Sequence, residues 1–239
     1  MKRMIPILLA LVMTAAMTAC KNQGGPSSES STPFASENAP VSESENSEPT
    51  GQGNSNILIA YFSLGCNAEY PDDIDASTSA SLVLAGEEMV GTTEYVAHLI
   101  QDNIGGDLYS IETVEPYPTD FDTVVDQNHE EMDAGTLPEL VKGNLDIAQY
   151  DTVFIGFPIW WHTAPMIIGT FLESYAWTDE VNIYPFFQGA SNNNSEYYTN
   201  SMNFVRTCAQ GAAVQEGLYA AASNTSAIDA YLAANGFTE

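Results

Sequence analysis

Thr152-Val153-Phe154-Ile155-Gly156-Phe157-Pro158-Ile159-Trp160-Trp161-His162-Thr163-Ala164-Pro165 decides how this chain folds. The run from Thr152 to Phe157 is apolar without alternation, which is the pattern of a strand buried on both faces of a parallel sheet. Pro165 stands where a first helical turn tolerates proline, and Ile167, Ile168, Phe171, Leu172 and Tyr175 follow at helical spacing. The stretch is therefore a strand, a short loop holding two adjacent tryptophans, and a returning helix. Two indoles placed at the end of a buried strand suggest a wall for some flat object.

The same alternation extends in both directions. Asn56 to Phe62 reads as a first strand, and Thr93 to Ile104 as a helix with Val96, Leu99, Ile100 and Ile104 on one stripe, stopped by Gly105-Gly106. Leu108 to Ile111 is a second strand. Thr119-Asp120-Phe121-Asp122 has capping-box form and opens a helix expected to turn Phe121, Val124, Val125 and Met132 inward. Val181 to Phe187 is a fourth strand, followed by a polar loop and a helix to about Arg206. Ala213 to Ala220 makes a fifth strand, whose Gln215-Glu216 suggests an edge. The last helix, capped at Ser226, ends at Gly236. Strands alternating with helices in this way predict an α/β domain with a doubly wound five-stranded parallel sheet flanked by helices. In the common order 2-1-3-4-5 a ligand crevice opens at the carboxyl ends of the first and third strands. The loops that face it begin at Ser63, Pro158 and Gln188.

The chain ahead of this domain has a different composition. Lys2-Arg3, an apolar stretch from Met4 to Ala15 and the small residues before Cys20 form a signal segment over residues 1–20. Met17-Thr18-Ala19-Cys20 resembles a bacterial lipobox, which predicts export, lipidation at Cys20 and anchorage to the cell membrane facing outside the cytoplasm. Residues 21–55 are Ser, Glu, Pro and Gly with little to bury, and predict a disordered tether. The folded domain is expected over 56–239. Its one anomaly is an acidic, Ser/Ala-rich insert at about 64–90 between the first strand and its helix. There Asp72, Asp73 and Asp75 read as a solvated loop or, less simply, as calcium ligands.

Charge constrains what the domain can bind. The five basic residues are Lys2, Arg3, Lys21, Lys142 and Arg206, against 32 acids. Nucleic acid needs a basic footprint and finds none. An anionic ligand must be held by backbone N–H groups and hydroxyls. No Gly-x-Ser-x-Gly elbow supports a hydrolase, and no cysteine pattern supports zinc. Cys66 and Cys208 fall at opposite rims of the expected sheet, about 15 Å apart at about 3.3 Å per residue. A disulfide needs Cα atoms within about 7 Å, so none is expected between them.

Tyr61-Phe62-Ser63, Gly91-Thr92-Thr93-Glu94 and Gly156-Phe157-Pro158-Ile159-Trp160-Trp161 with Thr163-Ala164-Pro165 together resemble the flavodoxin-like FMN-binding domains. Within these they are similar to a bacterial branch with a Tyr/Phe-Pro-Ile-Trp-Trp motif. The resemblance implies FMN, its phosphate held by Ser63, Gly91, Thr92 and Thr93 in a loop of the form Ser-x-Thr-Gly-Asn-Thr that this chain interrupts with the insert. It places Trp160 or Trp161 on the isoalloxazine ring, with the backbone from Pro158 through Ile159 to His162 at the ring edge. Gln188, Gly189 and Ala190 are implied on the other side, where no second aromatic completes a sandwich and Tyr197 and Tyr198 fall into the following helix. The function implied is extracytoplasmic electron transfer, or flavin-dependent reduction of a small acceptor, with a membrane or extracytoplasmic redox partner. The alternative is a binding or structural lipoprotein of the same fold that has lost FMN.

Overall fold

The computed structural model describes residues 56–66, 82–85, 88–189, 194–219 and 221–239. The signal segment with Cys20, the tether, Asp72, Asp73 and Asp75 of the insert, and Ala190 lie outside them.

In chain order the domain runs β1 (Ile57–Tyr61), a 3₁₀ turn (Leu64–Cys66), β2 (Leu82–Ala85), β3 (Glu88–Gly91) and α1 (Thr92–Ile104). It continues through β4 (Asp107–Ser110), α2 (Phe121–Ala134), β5 (Thr152–Pro158), α3 (Met166–Glu173) and β6 (Asn182–Gln188). α4 (Ser195–Cys208), β7 (Ala213–Val214), β8 (Leu218–Tyr219) and α5 (Thr225–Ala234) complete it. The main sheet has the order β4-β1-β5-β6-β7, every pairing parallel, with β8 also alongside β6. Counted along the chain, that is the expected order 2-1-3-4-5. β2 and β3 form a separate antiparallel hairpin inside the insert.

Each sheet face carries its own core. On one side Phe62, Ile155 and Phe157 pack with Ile167, Ile168 and Phe171 of α3 and Val205 of α4. On the other, Ile59, Phe154 and Phe186 pack with Val96 and Ile100 of α1 and Ile228 and Leu232 of α5. Gly156 is required where it stands: a Cβ there would lie 2.1 Å from Phe186 Cζ, because that ring lies across the backbone of β5.

The structure departs from the sequence reading in three elements. α2 is capped by Asp120, whose carboxylate accepts from Thr123 N at 2.9 Å, rather than by Thr119. Its Phe121 points outward, 46% exposed, while Val124, Asn128 and Glu131 form the buried face. Hydrophobicity alone misassigns the inner face of this helix because two of its three buried residues, Asn128 and Glu131, are polar. The fifth strand is broken into β7 and β8. Gly217 sits in the break, where its N–H donates to Tyr198 Oη at 3.0 Å and a side chain would run into Met202 and Phe187. α5 is capped by Asn224, two residues before the expected Ser226.

Candidate functional site

The insert leaves the sheet and comes back to the place it left. Ser63 follows β1, and Gly91, the last residue of β3, is the N-cap of α1. A Cβ on Gly91 would lie 1.7 Å from Ser63 Oγ and 2.8 Å from Ser63 Cβ, and one on Gly65 would lie 3.0 Å from Gly91 N. Only glycine permits that approach. The hairpin therefore closes the gap between Ser63 and Gly91, and the two halves of the expected phosphate loop meet.

α1 is 13 residues long, with its positive end at this junction. Glu94 caps it from within, its Oε2 accepting from Gly91 N at 3.1 Å. Thr92 and Thr93 are buried, at 2% and 1% exposure, and neither Oγ1 has a hydrogen-bond partner. A buried hydroxyl left unpaired costs about 1–3 kcal/mol. Both hydroxyls are therefore available to an acceptor that the protein does not itself supply.

The neighbouring strand ends continue the site. Pro158 and Gln188 are in register across β5 and β6, and Ile159 N donates to Gln188 O at 2.6 Å. Alternation along the strands puts Ser63, Pro158 and Gln188 on the α1–α5 face. Gln188 is buried, and neither its Oε1 nor its Nε2 is partnered. Beside it Gly189 is crowded by β8, since a Cβ there would meet Tyr219 Oη at 2.7 Å.

The tryptophan stretch folds into a tight turn. Trp160 N donates to Thr163 O at 2.9 Å and Thr163 N to Trp160 O at 3.1 Å, leaving Trp161 and His162 at the tip with φ of 43° and 72°. Non-glycine residues seldom adopt this left-handed region. The two indoles part company here. Trp160 packs inward, edge-on to Phe62 at 5.3 Å and to Tyr117 at 5.0 Å. Trp161 is 57% exposed. Its ring lies parallel to His162 at 5.3 Å, His162 stacks on Tyr197 at 4.5 Å, and His129 of α2 meets Trp161 edge-on at 4.0 Å. Beside the turn a cleft of about 470 Å³ runs along α4, lined by Met132, Asn200, Asn203 and Phe204 among others.

Tyr117, His129 and Glu131 carry no signal in the sequence pattern. Tyr197, expected several residues into its helix, lies nearer the rim. Asn194, which accepts from Glu196 N and Tyr197 N, fixes the start of α4 so that Tyr197 sits in the first turn, at the rim. Glu131 was hidden by its polarity. Burial, and then Glu131, push the Tyr117 hydroxyl well above the ordinary tyrosine range. Cys208, half-buried at the far end of α4, is pushed up to about 12 by burial and by Glu173, so it remains a neutral thiol. Among the described residues, no three His, Cys, Asp or Glu side chains are grouped to hold a metal.

Fold and rim together define an open, doubly wound parallel α/β domain with a helix N-terminal cradle beside an aromatic turn at the carboxyl edge of its sheet. A family model described as flavodoxin matches residues 80–231. The chain belongs to the flavodoxin family. A candidate flavoprotein of Bacteroides eggerthii DSM 20697 is similar to it at 28% identity, over 74% of this chain and 96% of its own, with a TM-score of 0.55. Another, from Bacteroides uniformis ATCC 8492, shares 25% identity over 72% of this chain and 97% of its own, with a TM-score of 0.52. A flavoprotein of Lactobacillus acidophilus NCFM, solved in complex with FMN, aligns at 22% identity over 71% and 95%, with a TM-score of 0.49. No curated protein matches the chain.

Proposed function

We propose that the domain binds FMN at this rim and acts in electron transfer, or in flavin-dependent reduction of a small acceptor, outside the cytoplasm. The observation that carries the reading is the pair of buried, unpartnered hydroxyls of Thr92 and Thr93 at the N-terminus of α1, closed against Ser63 through Gly91. A phosphate group provides the acceptors those hydroxyls lack, and the helix end favours its charge without any lysine or arginine. The family membership of the chain supports the same cofactor.

In this reading Ser63, Gly91, Thr92 and Thr93 hold the phosphate. The exposed indole of Trp161 gives the ring a face, and Trp160 anchors the turn from below. The backbone from Pro158 through Ile159 to His162 would contact the ring, and Gln188 and Gly189, with Ala190 as the sequence implies, would contribute to the same site. The free amide of Gln188 offers both a donor and an acceptor. Bound FMN would supply the electron chemistry, and the chain binds it, orients it and limits its contact with water.

Lys2-Arg3, the apolar stretch after them and the lipobox-like residues before Cys20 support export and a lipid anchor, with residues 21–55 as spacer. Nicotinamide cofactors are scarce in that compartment, so a membrane-bound donor or a quinol pool fits better than a soluble hydride carrier. The alternative, a lipoprotein of this fold without FMN, draws on the self-stacked rings of Trp161, His162 and Tyr197, which already cover one another.

Titrating the purified chain with FMN separates these readings. Saturable micromolar binding that quenches tryptophan emission is expected. A flat titration, with no flavin absorbance retained after gel filtration, would reject the redox reading in favour of the alternative.

A further inference from the structure

α2 reaches both tryptophans. Its His129 meets Trp161 edge-on at 4.0 Å. Its buried Glu131 accepts from the Tyr117 hydroxyl at 2.9 Å and from Gln127 Nε2 at 2.9 Å. The Tyr117 ring, also buried, stands edge-on to Trp160 at 5.0 Å and to Phe62 at 5.6 Å, and Phe62 closes the triangle on Trp160 at 5.3 Å. Trp160 thus sits in a slot between two ring edges, and one wall of the slot is tied to α2 by a hydrogen bond.

Two further facts give this arrangement a purpose. Trp161 and His162 are held in left-handed conformations that non-glycine residues seldom adopt, and such a turn persists only where its surroundings over-determine it. A carboxyl group on the inner face of α2 is also poor core material, since apolar side chains of similar size would bury there more favourably. Both are accounted for if the polar face of α2 exists to hold the turn.

We infer that Tyr117, Glu131 and His129 are positioning residues, which lock the Trp160-Trp161 turn in its left-handed form and present the Trp161 indole at the rim. The consequence for cofactor binding rests on the rim being a flavin site. The locking itself can be read without cofactor.

The test uses the full chain, first free of cofactor and then titrated with FMN. Near-ultraviolet circular dichroism and acrylamide quenching report the tryptophans, with Trp177, buried and bonded to Leu172 O at 2.6 Å, as a constant background. Tyr117→Phe removes the bond to Glu131 and keeps the ring; His129→Ala removes the edge contact. Both are expected to change the tryptophan signals while the far-ultraviolet spectrum stays fixed, and to weaken FMN, Tyr117→Phe by about tenfold, the equivalent of one buried hydrogen bond. Glu131→Gln retains an acceptor for the Tyr117 hydroxyl and should keep the signals. Glu130→Gln, on the exposed face of the helix, is the control. Unchanged tryptophan signals in both Tyr117→Phe and His129→Ala, even with lowered melting temperature, would reduce these residues to ordinary packing and overturn the inference. Should Tyr117→Phe not fold, His129→Ala, which alters only a half-buried side chain, decides it. If the wild-type chain binds no FMN, the flavin reading fails, and the cofactor-free signals still settle the positioning role.

Discussion

Thr93 buries its hydroxyl in the first turn of α1 and gives it no partner, and Thr92 beside it does the same. Folded proteins pair nearly all such groups, and the exceptions collect where a ligand completes them. This makes stability and binding pull in opposite directions at one atom. Replacing Thr93 by the isosteric valine removes an unsatisfied hydroxyl without opening a cavity. The cofactor-free chain should therefore keep its stability or gain up to about 1 kcal/mol, while losing an acceptor-seeking group for the phosphate. Urea denaturation without FMN, followed by FMN titration, should show a midpoint that is level or higher together with affinity at least about fivefold weaker. A lower midpoint would mean that the hydroxyl is satisfied within the protein. Gly91 acts at the same scale through space alone: no other residue fits against Ser63, and that contact turns two separated pieces of chain into one cradle.

The elements differ in what they ask of their sequence. α4 depends on its start. Asn194 accepts two of the free N–H groups of the first turn, from Glu196 at 2.9 Å and Tyr197 at 3.4 Å. Asn194→Ala should cost about 1 kcal/mol in urea denaturation. Because Tyr197 stacks on His162 from that same turn, fraying there should also shift the emission of Trp161. A stability loss with unchanged emission would show that the stack does not depend on the cap. Such caps were only partly legible in advance. β1, β5, β6, α1 and α3 could be read because each is a run of one periodicity that tertiary contacts reinforce. The inner face of α2 could not, since Glu131 is satisfied by the Tyr117 hydroxyl from outside the helix, and Asn128 turns inward although its Oδ1 finds no partner. The fifth strand hid its break because Gly217 yields to Met202 and Phe187, side chains from other elements. The meeting of Ser63 and Gly91 was expected only by resemblance, because the path of an insertion is not written in its composition. The family match itself begins at residue 80, beyond β1 and Ser63, so it is the structure that places β1 between β4 and β5, with Ser63 just past its carboxyl end.

Across the domain, among the described residues, ion pairing contributes little, and the pH response is set by partly and fully buried phenols. The chain has a formal net charge of −27, and among the described residues the one salt bridge joins exposed Arg206 and Glu216 at 3.4 Å. Exposed pairs of this kind are worth at most about 1 kcal/mol. Tyr109, Tyr117, Tyr150, Tyr175, Tyr184, Tyr198 and Tyr231, by contrast, all have hydroxyls pushed above the ordinary value of 10.0, with burial the leading cause in each. Nearby carboxyl groups add to the effect, as Asp107 does for Tyr150 and Glu216 for Tyr198. Tyr175 is raised to about 12. A group whose folded pKa lies above its unfolded value binds its proton more tightly in the folded state. Its contribution is complete below the unfolded value and is lost as pH rises toward the folded one. Urea midpoints measured from neutral pH upward should therefore be nearly level until about pH 9, where the raised Cys208 thiol begins to tell, and then fall steadily toward pH 12 as the tyrosines join it. Added sodium chloride should raise the midpoint at pH 8, where self-repulsion of the acids is screened and few attractive pairs are weakened. A fold held chiefly by surface ion pairs would respond to salt with the opposite sign. Constant midpoints up to pH 12 would mean that the phenols ionise without opposing the folded state, against the burial that raises them.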